Sequence, residues 1–454
     1  MNVQEVLQLV RSNNLRLVRF QYCDNGGIIR AKATHATKLE SRMQEGIGQT
    51  RAMQAFSGVE NLTAVEGMLP VGEFRLVPDP QTFSILPYAP HTASMMCDMI
   101  DLDGSPWEAC PRTFLKRMMA RLAEHGMRAE AGIEHEFYLA KQREDGTFEP
   151  ADQSLCYSTI GLDEQAEVVD ATLAALESQG ISIELFHTEY GPAQEELSLR
   201  HNDILRTADN TCLVRETVRG IARKFDLFAS FAPKPFLNLP GSGAHIHCSL
   251  WKSSLSESET QNLFYDPDQR GGFSQLGKYF VGGVLKHLRG LLAITCASPN
   301  SYARLQPHFW SSAYITYGYD NREGAIRIPS LFKGREAHSA NIELKSADHS
   351  ANPYLALGAL LAAGLDGIQN KIDPGYPEEV DPGLYTDEER RQRGIERFPL
   401  TLAESLDALE KDEVLLEALG PLLARSYLSV KRAEFEFFQD KPIEAEILQH
   451  FYKY

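Results

Sequence analysis

Five glutamates and one histidine between positions 134 and 343 are the residues of this chain best suited to chemistry: Glu134, Glu136, Glu189, Glu196, Glu343 and His245. Most lie in or beside short apolar runs, as in Gly-Ile-Glu-His-Glu-Phe at 132–137, where an unpaired carboxylate is costly to bury. Acids in such places neutralise something, and a divalent metal is the leading candidate. Oxygen ligands with one imidazole suit Mg²⁺ or Mn²⁺ rather than zinc. Glu134 and Glu136 are two apart on a strand pattern, so both leave one face and could serve two neighbouring ions, while His135 points away. One Glu-x-Glu alone reads as a solvated strand face. His245 and His247 form a second i, i+2 pair, behind a Gly-Ser-Gly that lets backbone approach a ligand closely. Together the two pairs favour a site.

Elements of both periods must position these residues. Alternation over 15–34 around Asn25-Gly26-Gly27 predicts a hairpin, and strand-like runs follow at 73–78 and 93–100. Residues 1–105 therefore read as a small β-rich domain opened by a helix. The turn formers at 101–106 mark the boundary to a larger domain, 106–454. Beyond a helix at 111–126, strands are expected at 129–140, 181–187, 227–232, 243–251, 312–317 and 324–329. Helices are expected at 163–179, 210–225, 272–296, 353–368, 401–409 and 421–437, and an exposed loop at 371–395.

The bulk numbers narrow the class. A chain of 454 residues with 43% hydrophobic and 24% charged residues reads as an ordinary globular protein of two domains. A net charge of -17 argues against a nucleic-acid partner, which needs a basic face. No run approaches a membrane span, and no basic-then-apolar leader opens the chain. The seven cysteines are odd in number and never spaced Cys-x-x-Cys, which reads as reduced thiols with neither disulfide nor structural zinc. A cytoplasmic location is expected.

From about residue 15 to 435 the chain resembles the glutamine synthetase family. The resemblance rests on Glu-x-Glu-Phe at 134–137, Gln-x-Glu at 194–196, Lys-Pro at 234–235 and Gly-Ser-Gly-x-His-x-His-x-Ser at 241–249. Asn-Ser-Tyr-x-Arg at 300–304, Ile-Arg-Ile-Pro at 326–329 and Asn-Pro-Tyr-Leu at 352–355 complete it. It implies an α+β fold: a small β-grasp-like N-terminal domain and a larger catalytic domain with a curved antiparallel sheet. It also implies a homo-oligomer of two stacked rings, with each active site closed by a neighbour's small domain. By the same resemblance Glu136, Glu189 and Glu196 would hold one metal ion, and Glu134, His245 and Glu343 a second. Glu184, His247, Ser249 and Lys333 match positions that contact ATP, and Arg322 and Arg327 match arginines that meet the transferring phosphoryl group. Arg304 and the Gly241 backbone match positions that hold glutamate. The implied chemistry is attack of a carboxylate on ATP to give an acyl phosphate, then attack of an amine on that intermediate, with charge offset by metals and arginines and with water kept out.

The departures from the family bear on the amine. Glutamine synthetases carry an aspartate on the small domain, in an Asp-Gly-Ser-Ser-type loop, that binds ammonium. The stretch 54–63 here has no such motif, and Glu60 is its only acid. The family also places a glutamate six residues after the Asn-Ser-Tyr-x-Arg arginine, and here that residue is Trp310, after Pro307-His308-Phe309. An indole in place of a carboxylate removes a cation site and supplies a flat apolar wall. Lys345 stands where an arginine is usual, so a bidentate fork becomes a point charge, Asn341 stands in place of another arginine, and Pro240 replaces an asparagine. Arg304 and Lys345 are still expected to hold glutamate. Tyr385 lies near where some bacterial members are adenylylated, but reads as a loop tyrosine.

The expectation is therefore an ATP- and Mg²⁺- or Mn²⁺-dependent ligase joining glutamate to a primary amine larger than ammonia. Trp310, Phe309 and His308 would shape the amine pocket, with residues near Glu60 of the neighbouring subunit. Apolar walls favour a monoamine over a polyamine. One alternative is a glutamine synthetase that captures ammonium differently, which would turn over ammonia efficiently at low concentration. Another is a non-catalytic assembly protein, which would bind neither metal nor nucleotide.

Overall fold

The computed structural model describes residues 1–253 and 261–454. Two sheets organise it. The first contains β1 (Leu17–Cys23), β2 (Ile29–His35), β3 (Ile47–Thr50), β4 (Glu73–Pro78), β5 (Ser84–Ile85) and β6 (Thr92–Ile100), in the order β2-β1-β6-β4-β3 with β5 on β6. The expected hairpin around Asn25 is β1–β2, paired antiparallel, and β1 runs parallel to β6 in the β-grasp-like arrangement. One helix, Val3–Ser12, begins with an Asn2/Glu5 capping box and buries Val6, Leu7 and Val10 in the core beneath this sheet.

The second sheet contains β7 (Met127–Gln142), β8 (Phe148–Pro150), β9 (Ile183–Thr188), β10 (Gln194–Leu199), β11 (Asn202–Asp203), β12 (Phe228–Ser230), β13 (Ala244–Lys252), β14 (Tyr314–Tyr319), β15 (Gly324–Ile328) and β16 (Ile342–Leu344). Its order is β14-β15-β16-β13-β7-β10-β9, and β8, β11 and β12 pair with β7. Every pair along this order is antiparallel except β14 with β15. The molecule is thus α+β, a small sheet domain followed by a larger unit with a curved, mainly antiparallel sheet. β7 has 16 residues and carries the sheet's centre. Its alternate residues Ala129, Ala131 and Ile133 face an apolar core shared with two long helices, Gln275–Thr295 and Pro353–Asn370. Those helices touch backbone to backbone: a Cβ on Gly283 would collide with the carbonyl oxygen of Ala363 and with Gly367. Pro353 in the first turn and the Asn352 side chain, which accepts the Tyr354 and Leu355 amides, start the second of them.

A buried guanidinium helps join the first sheet to the larger unit, beside bonds such as those of Asn352 to the Cys23 and Asp24 carbonyls. Arg112 reaches Asp79 at 2.8 Å and Asp98 at 3.1 Å from the first sheet's segment, and Asp209 of the helix Ile204–Ala222 at 3.0 Å. A buried arginine with three acids has its charge met on every side, which a single missing partner would undo.

Some elements differ from expectation. The segment 371–395 contains a helix, Asp387–Arg393, started by a Thr386/Glu389 capping box. The expected helix 163–179 is two, Thr159–Glu164 and Ala166–Ser178. Strands β10 and β16 and the helices Glu413–Leu419 and Ile443–Lys453 stand where none was expected.

Candidate functional site

Strand register assembles the site. On β7, Glu136 lies opposite Glu196 of β10, and Glu196 lies opposite His187 of β9. One step along, Glu134 lies between Ser198 of β10 and His245 of β13. A third row runs from His247 of β13 to Glu343 of β16 to Arg327 of β15. Residues of one row on one face are cross-strand neighbours, so the sheet's own hydrogen bonds bring these acids and histidines together.

The distances follow. Donor atoms of Glu134, His247 and Glu343 lie within 4.8 Å of one another, as do those of His187, Glu189 and Glu196. His245 stands between the groups, its Nδ1 3.2 Å from Glu134 and 3.5 Å from Glu343, its Nε2 3.5 Å from Glu136. All six residues singled out as metal ligands therefore meet, with His187 and His247 added. His247 Nε2 lies 3.1 Å from Glu134, and its Nδ1 meets the Asn341 side chain at 2.9 Å. Burial, followed by the charges of Glu134, Glu136 and Glu189, pushes the Glu196 carboxyl up to about 10. Crowded like charge of this kind is what a divalent cation offsets, and the oxygen-rich donor set with imidazole fits Mg²⁺ or Mn²⁺. Glu343 is fully buried, which alone would raise its carboxyl, yet Lys345 and His247 hold it well below the usual range. Lys345 Nζ sits 3.0 Å from Glu343, and Arg327 pairs with the same carboxylate.

The glycine-rich turn before β13 is shaped by what it touches. A Cβ on Gly241 would strike the Pro233 carbonyl and the Arg304 side chain, and one on Gly243 would meet Arg304 and His245 at 2.6 Å. The Gly243 amide donates to Glu136 at 2.8 Å, and the Gln194 side chain donates to the Gly241 carbonyl at 3.0 Å. Arg304 is buried, its Nη2 3.1 Å from His245, and its Nη1 has no partner among the described residues.

These groups open on a cavity of about 900 Å³. Glu184, His247, Ser249, Gly241, Arg304, Lys345, Arg322 and Arg327 line it; Lys333 sits outside, exposed on a loop whose neighbour Phe332 faces in. Arg322 is exposed and makes no ion pair among the described residues. At the mouth, His308, Phe309 and Trp310 line the wall with Tyr190 and Tyr157. The Trp310 and Tyr190 rings are 6.2 Å apart, and Tyr157 lies 5.1 Å from His187. Glu60 is not among the lining residues; it is exposed and pairs with Arg30 at 2.9 Å.

His187 was not singled out by its sequence context, although His187-x-Glu189 repeats the i, i+2 spacing that marks the other pairs. Tyr190 and Tyr157 give no sequence signal of their own, because a tyrosine beside an acid is ordinary in any loop.

The description "Glutamine synthetase, catalytic domain" matches residues 108–450, and "Glutamine synthetase N-terminal domain" matches residues 1–107. A glutamine synthetase of Methanosarcina mazei is 36% identical over 441 residues, covering 96% of this chain and 94% of the relative. The gamma-glutamylpolyamine synthetase GlnA3 of Streptomyces coelicolor is 35% identical over 418 residues, covering 91% of this chain and 88% of the relative. A solved structure titled as a GmaS/ADP complex superposes with a TM-score of 0.83 at 30% identity, covering 96% of this chain and 97% of that one.

Proposed function

The chain belongs to the glutamine synthetase family of ATP-dependent carbon–nitrogen ligases, and we propose that it joins glutamate to a primary amine larger than ammonia. The observation that carries this reading is the mouth of the cavity, where the half-exposed Trp310, Phe309 and Tyr190 face the space beside the acids and the 307–312 loop holds no carboxylate. Ammonium is best recognised by carboxylates, whereas aromatic walls accept carbon on the amine.

In this reading the γ-carboxylate of glutamate attacks the γ-phosphoryl group of ATP, giving γ-glutamyl phosphate and ADP. The amine then attacks the acyl carbon, and phosphate leaves as the amide forms. Arg304, packed against the Gly241 turn, orients glutamate. Lys345 keeps the Glu343 end of the site charge-balanced, so that its role towards the α-carboxylate is indirect. Arg322 and Arg327 face the cavity and meet the phosphoryl oxygens. Glu184, Ser249 and His247 line the cavity and contact the nucleotide in this reading, while Lys333 stands outside it on the exposed loop beside Phe332. Glu136, Glu189 and Glu196 with His187, and Glu134, His245 and Glu343 with His247, would hold two divalent ions, Mg²⁺ or Mn²⁺. Such ions, when bound, offset charge between the two anionic reactants. The aromatic mouth limits water at the acyl phosphate.

The absence of acids from the 307–312 loop favours a monoamine, while the name of the Streptomyces relative keeps polyamines in the comparison. The relatives named glutamine synthetase support the second reading, ammonia as the amine. The division into 1–105 and 106–454, the two-ring assembly and a cytoplasmic location belong to the same proposal. The two separate sheets support the division, and no helix among the described residues is long and apolar enough to cross a membrane. Mass spectrometry of the product after incubation with ATP, Mg²⁺, glutamate and an equimolar mixture of ammonia, alkyl, aromatic and polyamine substrates tests the reading. A γ-glutamyl amide of one organic amine is expected; glutamine as the sole product would refute it.

A further inference from the structure

The loop that carries Trp310 is bent in a way no glycine assists. His308, Trp310 and Ser312 all have left-handed backbone, at φ of 65°, 56° and 64°. Non-glycine residues rarely adopt that region, and alternate residues doing so hold only where the surroundings fix them. Glu323 supplies much of the fixing. Its Oε1 accepts the Trp310 amide at 2.8 Å, and its backbone carbonyl accepts the Ser312 hydroxyl at 3.2 Å. Its own amide donates to Asn321 at 3.0 Å, which anchors it to the turn bearing Arg322. The outer end of the loop is held by His308 Nδ1 on Asp381 at 2.7 Å, and the inner end by the Ser311 hydroxyl on the Arg304 carbonyl at 2.8 Å.

Glu323 is buried, at 7% exposure, and is not among the residues that line the cavity. Its second carboxyl oxygen has no partner among the described residues, and burial pushes its carboxyl above the usual range. A poorly solvated carboxylate under a surface loop costs free energy, which the bond it accepts from the Trp310 amide partly offsets.

We propose that Glu323 sets amine specificity from behind the pocket wall: by holding the Trp310 amide it fixes the turn that lays the indole and Phe309 along the cavity. It is a positioning residue, acting through Trp310 and touching no substrate. The proposal rests on reading Trp310 as part of the amine wall, and its test separates the two.

Two readouts apply to Glu323→Ala and Glu323→Gln in the full-length protein. The first is acrylamide quenching of tryptophan fluorescence, which reports Trp310 because Trp107 and Trp251 are 1% and 4% exposed and Trp310 is 47% exposed. The second is steady-state kinetics with the preferred amine. In Glu323→Ala the quenching constant should rise, and KM for the amine should rise about tenfold, with kcat and the KM values for glutamate and ATP within about twofold, the scale of one hydrogen bond lost. Glu323→Gln keeps the acceptor oxygen and should restore both readouts. Where the alanine variant does not fold, Glu323→Asp, which withdraws the acceptor by one methylene, is read in the same way. Unchanged quenching, or a parallel fall in every kinetic constant, would overturn the role of Glu323 whatever the amine is. Raised quenching with ammonia as the preferred substrate would uphold Glu323 and refute the reading of the amine.

Discussion

The floor of the cavity and its mouth are built by different means. On the floor, Glu134, Glu136, Glu196, His245 and Glu343 are set by the register of β7, β10, β13 and β16, so hydrogen bonds of a large sheet fix each of them. At the mouth, Trp310 is set by a loop with three left-handed residues, one buried carboxylate and one His–Asp pair. A sheet holds reacting groups rigidly and resists change, because a register slip turns every side chain to the other face. A loop can exchange side chains without disturbing the scaffold, which suits the part of the site that chooses a substrate. Under the function proposed above, the difference would put most of the charged floor on strands and the choice of amine on the 307–312 loop.

The comparison can be broken at either end. Glu136→Ala removes a floor acid that also accepts the Gly243 amide, and should cut acyl-phosphate formation by at least about 10²-fold with every amine, measured as ADP release. ADP release at the wild-type rate would remove Glu136 from the floor's chemistry. Trp310→Glu alters only the mouth, and should move the ratio of kcat/KM for the organic amine over ammonia towards ammonia by about 10- to 100-fold. An unaltered ratio would make Trp310 a packing residue.

Changes away from both should leave that ratio alone. Gly283→Ala forces two long helices apart behind the sheet and should cost about 1–3 kcal/mol of stability by urea unfolding. A shifted amine ratio in that variant would mean that the scaffold, and not only the loop, sets selectivity. The smallest effect concerns His287, buried between Asp412 at 2.7 Å and Asp366 at 3.0 Å. Burial opposes its charge, but the two carboxylates outweigh it and raise the imidazole above its ordinary 6.5. A raised folded value means that this stability is fully present below about pH 6.5 and is lost as pH rises through the folded value. His287→Gln should therefore lower stability more at pH 6 than at pH 9, with the amine ratio constant. An equal loss at both values would mean the imidazole is not charged in the fold.

Much of the floor is legible in the sequence because strands announce themselves by period. Glu-x-Glu and His-x-His each put two ligands on one face by spacing alone, and β7 and β13 lie close to where alternation puts them. β10 is not legible: Gln194-Glu-Glu-Leu-Ser-Leu199 buries two adjacent acids, so the apolar alternation that marks a strand is broken by the site itself. β16 has three residues, too few for any period. The helix Asp387–Arg393 buries none of its residues, so no apolar stripe betrays it. Trp310 stands out only as a departure from a family position. The turn that aims it is invisible in the sequence, since left-handed backbone at histidine, tryptophan and serine has no signature there, and Glu323 lies 13 residues away from the amide it holds.

The most direct test of the division between floor and mouth is the ratio of kcat/KM for each organic amine to that for ammonia, measured by phosphate release with ATP, Mg²⁺ and glutamate saturating. One alkyl or aromatic monoamine should exceed ammonia by orders of magnitude. Ammonia at the top of that ranking would contradict the account, and would mean that the aromatic mouth does not choose the amine.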